Sequence, residues 1–172
     1  MTISMYEASV PVFSARLKAL SNVLAAAEQN ALDRKIDPQV FLTARLAPDM
    51  FPLSRQVQIA SDTAKIGAAR LASIEAPAFE DNEKTLPELI ERTRKTVDFL
   101  KTLKPEQFEG AEDRMIRWSS PRAGERSMIG LSYALHQVLP NVHFHCTTTY
   151  DILRHNGVEL GKMDYLGREP PA

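Results

Sequence analysis

The sequence predicts an all-α four-helix bundle with a short hairpin or irregular insertion before the last helix. Three observations carry the prediction. Four long stretches repeat apolar residues at spacings of three and four. Proline, glycine and capping residues punctuate the ends of those stretches. The one region that loses the helical rhythm, residues 105 to 129, is too short to be a second domain. An amphipathic helix buries its apolar face only against a neighbour, and a bundle lets four such faces cover one another.

The first stretch runs from about Ser4 to Gln29. Met5, Ala8, Val12, Ala19, Val23 and Ala26 follow the helical spacing, and Phe13, Leu17, Leu20 and Leu24 widen the stripe. Thr2 or Ser4 can cap its start, and Pro11 predicts a kink or a late beginning. Asp37-Pro38 reads as an N-cap with a first-turn proline and opens a short helix to about Leu46. The second long helix covers Pro52 to Ala72. Leu53, Val57, Ala60, Ala64, Gly67, Ala68 and Leu71 form its inner face, mostly small, which lets a neighbour approach closely.

Residues 73 to 84 read as a loop. Thr85 and Glu88 form a T-x-x-E capping box, and a third helix follows with Leu86, Leu89, Ile90, Thr93, Val97 and Leu100 on one face. Met115 to Trp118 can pair with Arg126 to Ile129 around Ser119, Ser120, Pro121 and Gly124. The fourth helix spans Leu131 to Asn156, with Leu131, Leu135, Val138, Val142, Thr149, Ile152 and Leu153 inward. Gly157 suits its C-terminal turn, and Pro140 predicts a kink.

A chain of 172 residues fits one domain over 1–172 and can bury roughly two-thirds of its extended surface. One cysteine, Cys146, excludes an internal disulfide. The net charge is −1, from 21 basic and 22 acidic residues, with no basic stripe for nucleic acid or a membrane surface. No run approaches the length of a membrane span, and Met1 to Val12 lacks the pattern of a signal peptide. The expectation is a cytoplasmic protein that engages neither nucleic acid nor membrane.

The four histidines, His136, His143, His145 and His155, all lie on the fourth helix. At about 100° per residue, His145 falls among Leu131, Val142 and Thr149 and looks into the bundle. It is either a hydrogen-bonded core histidine or a metal ligand. His136 and His143 share a flank that suits the surface or, with Tyr150, a subunit contact. His155 suits the negative end of the helix dipole. Asn141 lies one turn before His145, where it either joins a site or repairs the backbone opened by Pro140. Gln56 lies at the margin of the second helix's apolar face; Gln58 lies nearer its solvated side. Cys146 reads as an inert buried thiol. Glu80 and Asp81 sit in a loop with no partner at catalytic spacing. No phosphate-binding, dinucleotide, nucleophile-elbow, H-E-x-x-H or E-x-x-H motif is present.

Three stretches carry a family resemblance. They are Met5 to Phe13, "ARLAPDMFPLSRQVQIASDTAK" from Ala44 to Lys65, and "LPNVHFHCTTTYDILRHNGVELGKMDYLG" from Leu139 to Gly167. The sequence resembles an uncharacterised bacterial family of unknown function grouped with the DinB/YfiT-like metalloenzymes. The resemblance implies a DinB-like bundle, often a homodimer. In that superfamily a second-helix histidine and an H-x-x-x-H pair on the last helix hold a divalent metal, zinc or nickel among them. Thiol transfer and isomerisation are known there.

His145 resembles the second histidine of the pair, Asn141 stands at the first, and Gln56 comes nearest the second-helix ligand. One imidazole with two carboxamides would grip zinc weakly, so the resemblance implies a degenerate metal site. Two readings follow. One is a small-molecule-binding or stress-related module with a pocket at His145, Asn141 and Gln56. The other is a divalent-metal-dependent transferase or hydrolase using His145.

Overall fold

Pro11 decides where the first helix begins. It lacks an N–H, so it fits the first turn, where that group has no partner in any case. In the computed structural model, which describes residues 3–120 and 124–167, helix α1 accordingly spans Val10–Asp33. The start is late, without a kink. Ahead of it, Ser4 N–H and Oγ donate to the Glu7 carboxylate at 3.1 and 3.2 Å, and Glu7 N–H donates to Ser4 Oγ at 3.1 Å. The expected cap at Thr2 and turn at Pro121 lie outside the described residues.

Short helix α2 covers Gln39–Thr43, with Asp37 Oδ1 accepting from Gln39 N–H at 2.9 Å. It stops before Leu46 because Ala44 turns extended and its carbonyl accepts from Leu53 N–H. Helix α3 spans Leu53–Leu71, and its predicted inner face is wholly buried. Helix α4 spans Leu86–Thr102 behind the reciprocal Thr85–Glu88 capping box. Strands β1 (Met115–Ser120) and β2 (Gly124–Ile129) form an antiparallel pair in which Met115 faces Ile129 and Trp118 faces Arg126. The chain enters its last long helix, α5, at once. It runs through Gly130–Ser132, a π turn over Tyr133–Val138, and Leu139–His155. Helix α6 (Lys162–Leu166) closes the described chain.

Helix α1 packs on α4, α4 on α3, α3 on α5 and α5 on α1. The described residues are thus mostly helical, with one two-stranded sheet. Among the described residues no helix is long and apolar enough to cross a membrane.

The disturbance expected from Pro140 takes the form of the π turn one step earlier. Proline cannot donate to the carbonyl four residues back and its ring crowds that carbonyl, so the turn before it widens. One extra residue in a turn slips the side-chain phase by about 100°. Leu131 and Leu135, read from the sequence as inward, are therefore exposed, Tyr133 and Ala134 are buried in their place, and Val138 stays inward as its spacing from Val142 predicts. The wide turn seats directly on α3. A Cβ at Gly67 would stand 2.4 Å from Val138 Cγ1, so only a bare Cα admits the contact.

A second departure concerns residues 73 to 84. They form a loop, but its acids are not idle. Arg92 on α4 is buried, with Nη1 donating to Glu83 Oε1 at 2.8 Å and to the Glu80 carbonyl at 3.0 Å. Its Nη2 meets Asp62 at 2.9 Å and Asp81 at 3.0 Å. Lys65, also buried, pairs with Asp62 at 3.0 Å and lies 3.7 Å above the Phe79 ring. Burial opposes the Arg92 charge, yet Glu83, Asp62 and Asp81 outweigh it and raise its pKa. The loop also covers Gln58, which is buried rather than solvated and donates to Glu83 Oε2 at 2.9 Å.

Two substitutions test this packing. Gly67→Ala forces the α3–α5 seam apart and should lower unfolding free energy by about 1–3 kcal/mol in urea titrations. Arg92→Leu strands the loop carboxylates and should cost about 3 kcal/mol, at the low end for a broken buried pair because those acids can rehydrate. Limited proteolysis of that variant should cut within residues 73 to 84.

Candidate functional site

Antiparallel packing of α3 and α5 brings Gln56 opposite His145. Each side chain is where helical phase puts it: Gln56 one turn, four residues, before Ala60 on the small-residue face, His145 between Val142 and Thr149. Both are buried, and His145 is only 8% exposed. His145 Nδ1 and Gln56 Oε1 are 2.6 Å apart. A carboxamide oxygen can only accept, so Nδ1 carries the proton. The amide orientation is fixed independently, because Gln56 Nε2 donates to the Phe51 carbonyl at 3.0 Å. His145 therefore holds its lone pair on Nε2. Its own carbonyl accepts from Thr149 Oγ1 at 2.9 Å, which locks the turn below.

Burial pushes the His145 pKa down, and the nearby Arg55 guanidinium adds to the effect, to about 4. Arg55 is itself held by Asp81 and by Gln58 Oε1, the latter at 3.1 Å. The imidazole is thus neutral at pH 7, a hydrogen-bond acceptor through Nε2. The Phe144 ring stands edge-on to it, 5.2 Å between centroids, and is exposed, as is Phe51.

Asn141 is not part of this pair. It lines a neighbouring cleft of about 190 Å³ between α3, the π turn and the hairpin, together with Asp62, Arg70, Trp118, Tyr133 and Gln137. Of the three residues singled out in the sequence, the structure joins Gln56 with His145 and sets Asn141 one turn away on that cleft.

The remaining candidates resolve separately. His143 Nδ1 lies 3.1 Å from the Tyr165 hydroxyl of α6, and Tyr150 packs edge-on against the same ring. Of the flank read as a surface or subunit contact, His143 and Tyr150 thus meet Tyr165 of α6. Burial, with Arg16 nearby, lowers the His143 pKa. His136 and His155 are exposed. Cys146 is buried and its thiol is pushed up to about 12 by burial, so it stays protonated and inert.

A divalent ion does not fit these residues. His145 Nε2 could supply one ligand. Gln56 Oε1 already accepts from Nδ1, and Asn141 faces elsewhere. Among the described residues no group of three or more His, Cys, Asp or Glu side chains is placed to hold a metal ion.

Comparison with known proteins agrees with the architecture. The family described as Domain of unknown function (DUF1993) matches residues 5–166. A crystal structure of a DinB family member protein from Shewanella denitrificans is 44% identical, covers 98% of this chain and 94% of its own, and superposes with a TM-score of 0.88. No curated protein matches the chain.

The state of His145 is open to direct measurement. A folded pKa near 4 against an ordinary 6.5 means that the unfolded chain takes the proton first. Stability from the neutral ring is fully present above pH 6.5, declines as the pH falls, and is gone at about pH 4. That loss is at most about 3 kcal/mol. Long-range ¹H–¹⁵N spectra should show an Nδ1-protonated ring that remains neutral at pH 5.

Proposed function

The chain belongs to the DUF1993 family of unknown function, and from that premise we propose that it is a DinB-type four-helix bundle, one domain over 1–172, acting as a small-molecule-binding module with a degenerate metal site. The ring of contacts among the four long helices supports the bundle. The likeness to the Shewanella denitrificans protein supports the DinB type.

One observation carries the functional reading, the 2.6 Å bond between His145 Nδ1 and Gln56 Oε1. A second-helix ligand would turn its donor atom toward the ion. Here the corresponding side chain spends its oxygen on the imidazole's N–H and its nitrogen on the Phe51 carbonyl. The polar pair is satisfied within the protein, as a buried hydrogen-bonding pair must be. What remains toward a ligand is the Nε2 acceptor of a neutral ring that exposed Phe144 meets edge-on, and the neighbouring cleft, whose Gln137 and Asn141 carboxamides bond to none of the described residues. Such a surface recognises small molecules by hydrogen bonds and apolar contact.

Metal analysis tests the reading. Protein purified without a histidine tag and equilibrated with zinc or nickel, then desalted, should retain well under one equivalent, and His145→Ala should retain the same. One tightly held equivalent that disappears in His145→Ala would instead establish a metal site at His145 and favour the alternative, a divalent-metal-dependent transferase or hydrolase.

A further inference from the structure

The cleft beside Asn141 contains a cation, Arg70, that pairs with no carboxylate among the described residues. Arg70 is half-buried near the end of α3 and makes no salt bridge with the described residues. Its Nη1 donates to the Tyr133 hydroxyl at 2.9 Å. That bond occupies the phenol's oxygen as acceptor and frees its proton to donate. Gln137 and Asn141 lie on the same wall, one helical turn apart, and neither side chain hydrogen-bonds to a described residue. Trp118, from β1, closes the far side, 5.0 Å from the Tyr133 ring. Asp62 also reaches the cleft, but its charge is already met by Lys65 and Arg92.

We propose that this cleft binds a small monocarboxylate with a flat apolar body. The carboxylate would sit on Arg70 and the Tyr133 hydroxyl, and the flat body against Trp118. The inference rests on the reading of the bundle as a small-molecule-binding module and names the class of ligand.

Three features select that class. A single guanidinium offers a planar fork that matches a carboxylate. With Asp62 already paired, Arg70 is left to balance one negative charge, which favours a monoanion over a phosphate dianion. The volume, about 190 Å³, lies below the range of drug-sized sites, which excludes a nucleotide. The π turn makes the arrangement available. It presents Tyr133 toward Arg70 and leaves Gln137 and Asn141 on the open side, and such turns recur where backbone is reshaped for binding.

Trp118 is the one tryptophan of the chain, so its emission reports on this cleft alone. The probe is benzoate, with benzamide as its uncharged counterpart, at low salt. Benzoate should quench or shift the emission saturably in the millimolar range, benzamide should not, and added salt should weaken the effect. Arg70→Gln, with unchanged far-ultraviolet circular dichroism, should lose about tenfold in affinity or more. The comparison of the two probes on the unmodified protein needs no variant.

Equal binding of benzoate and benzamide overturns the monocarboxylate and leaves the binding module standing. Unchanged benzoate affinity in Arg70→Gln overturns the placement on Arg70. If neither probe alters Trp118 emission or the His145 ring resonances, both the inference and the reading beneath it fall.

Discussion

The bond between Gln56 and His145 ties the two helices that bear every candidate residue. It joins α3 to α5 at one end of their seam, as Gly67 against Val138 does further along. The first contact is polar and buried, so it cannot be broken without leaving an imidazole N–H and a carboxamide oxygen unsatisfied. The second is steric and tolerates no added atom. Together they fix the facing registers of α3 and α5. The position of the cleft, the placement of the His145 ring and the seating of the π turn all follow from that register.

The same bond explains why a DinB-like framework here has a different interior chemistry. An imidazole in a low-dielectric setting needs a partner for its N–H, and the carboxamide oxygen that accepts from Nδ1 sits at that edge of the ring, away from Nε2. Burial then keeps the ring neutral. On the reading proposed above, the interior offers a neutral acceptor nitrogen in place of a Lewis acid. Electrostatic organisation lies instead in the network around Arg92, where four acidic or carbonyl groups converge on one guanidinium and pin the 73 to 84 loop across α3 and α4.

Much of this was legible in the sequence, for reasons that differ by residue. Thr85 and Glu88 specify a helix start through contacts three residues apart. The small face from Ala60 to Leu71 and the inward phase of His145 follow from period alone. The inward margin of Gln56 was also visible, though not the partner it finds. Leu131 and Leu135 misled because period assumes an unbroken helix. Pro140 signals that some turn must give way but not which turn absorbs the change. The Arg92 network was hidden because its partners lie on α3 and in a loop, at separations no helical repeat encodes. Arg70, Tyr133 and Trp118 were equally hidden, since only the π turn and the hairpin bring them together.

The central claim is that a carboxamide, not an ion, satisfies His145. Crystals grown in the presence of zinc and recorded on both sides of the zinc absorption edge test it most directly. The account predicts an intact Gln56–His145 hydrogen bond and no anomalous peak bound by three protein ligands beside Nε2. A zinc peak coordinated by His145 together with two further side chains, with the Gln56 bond broken, would contradict it.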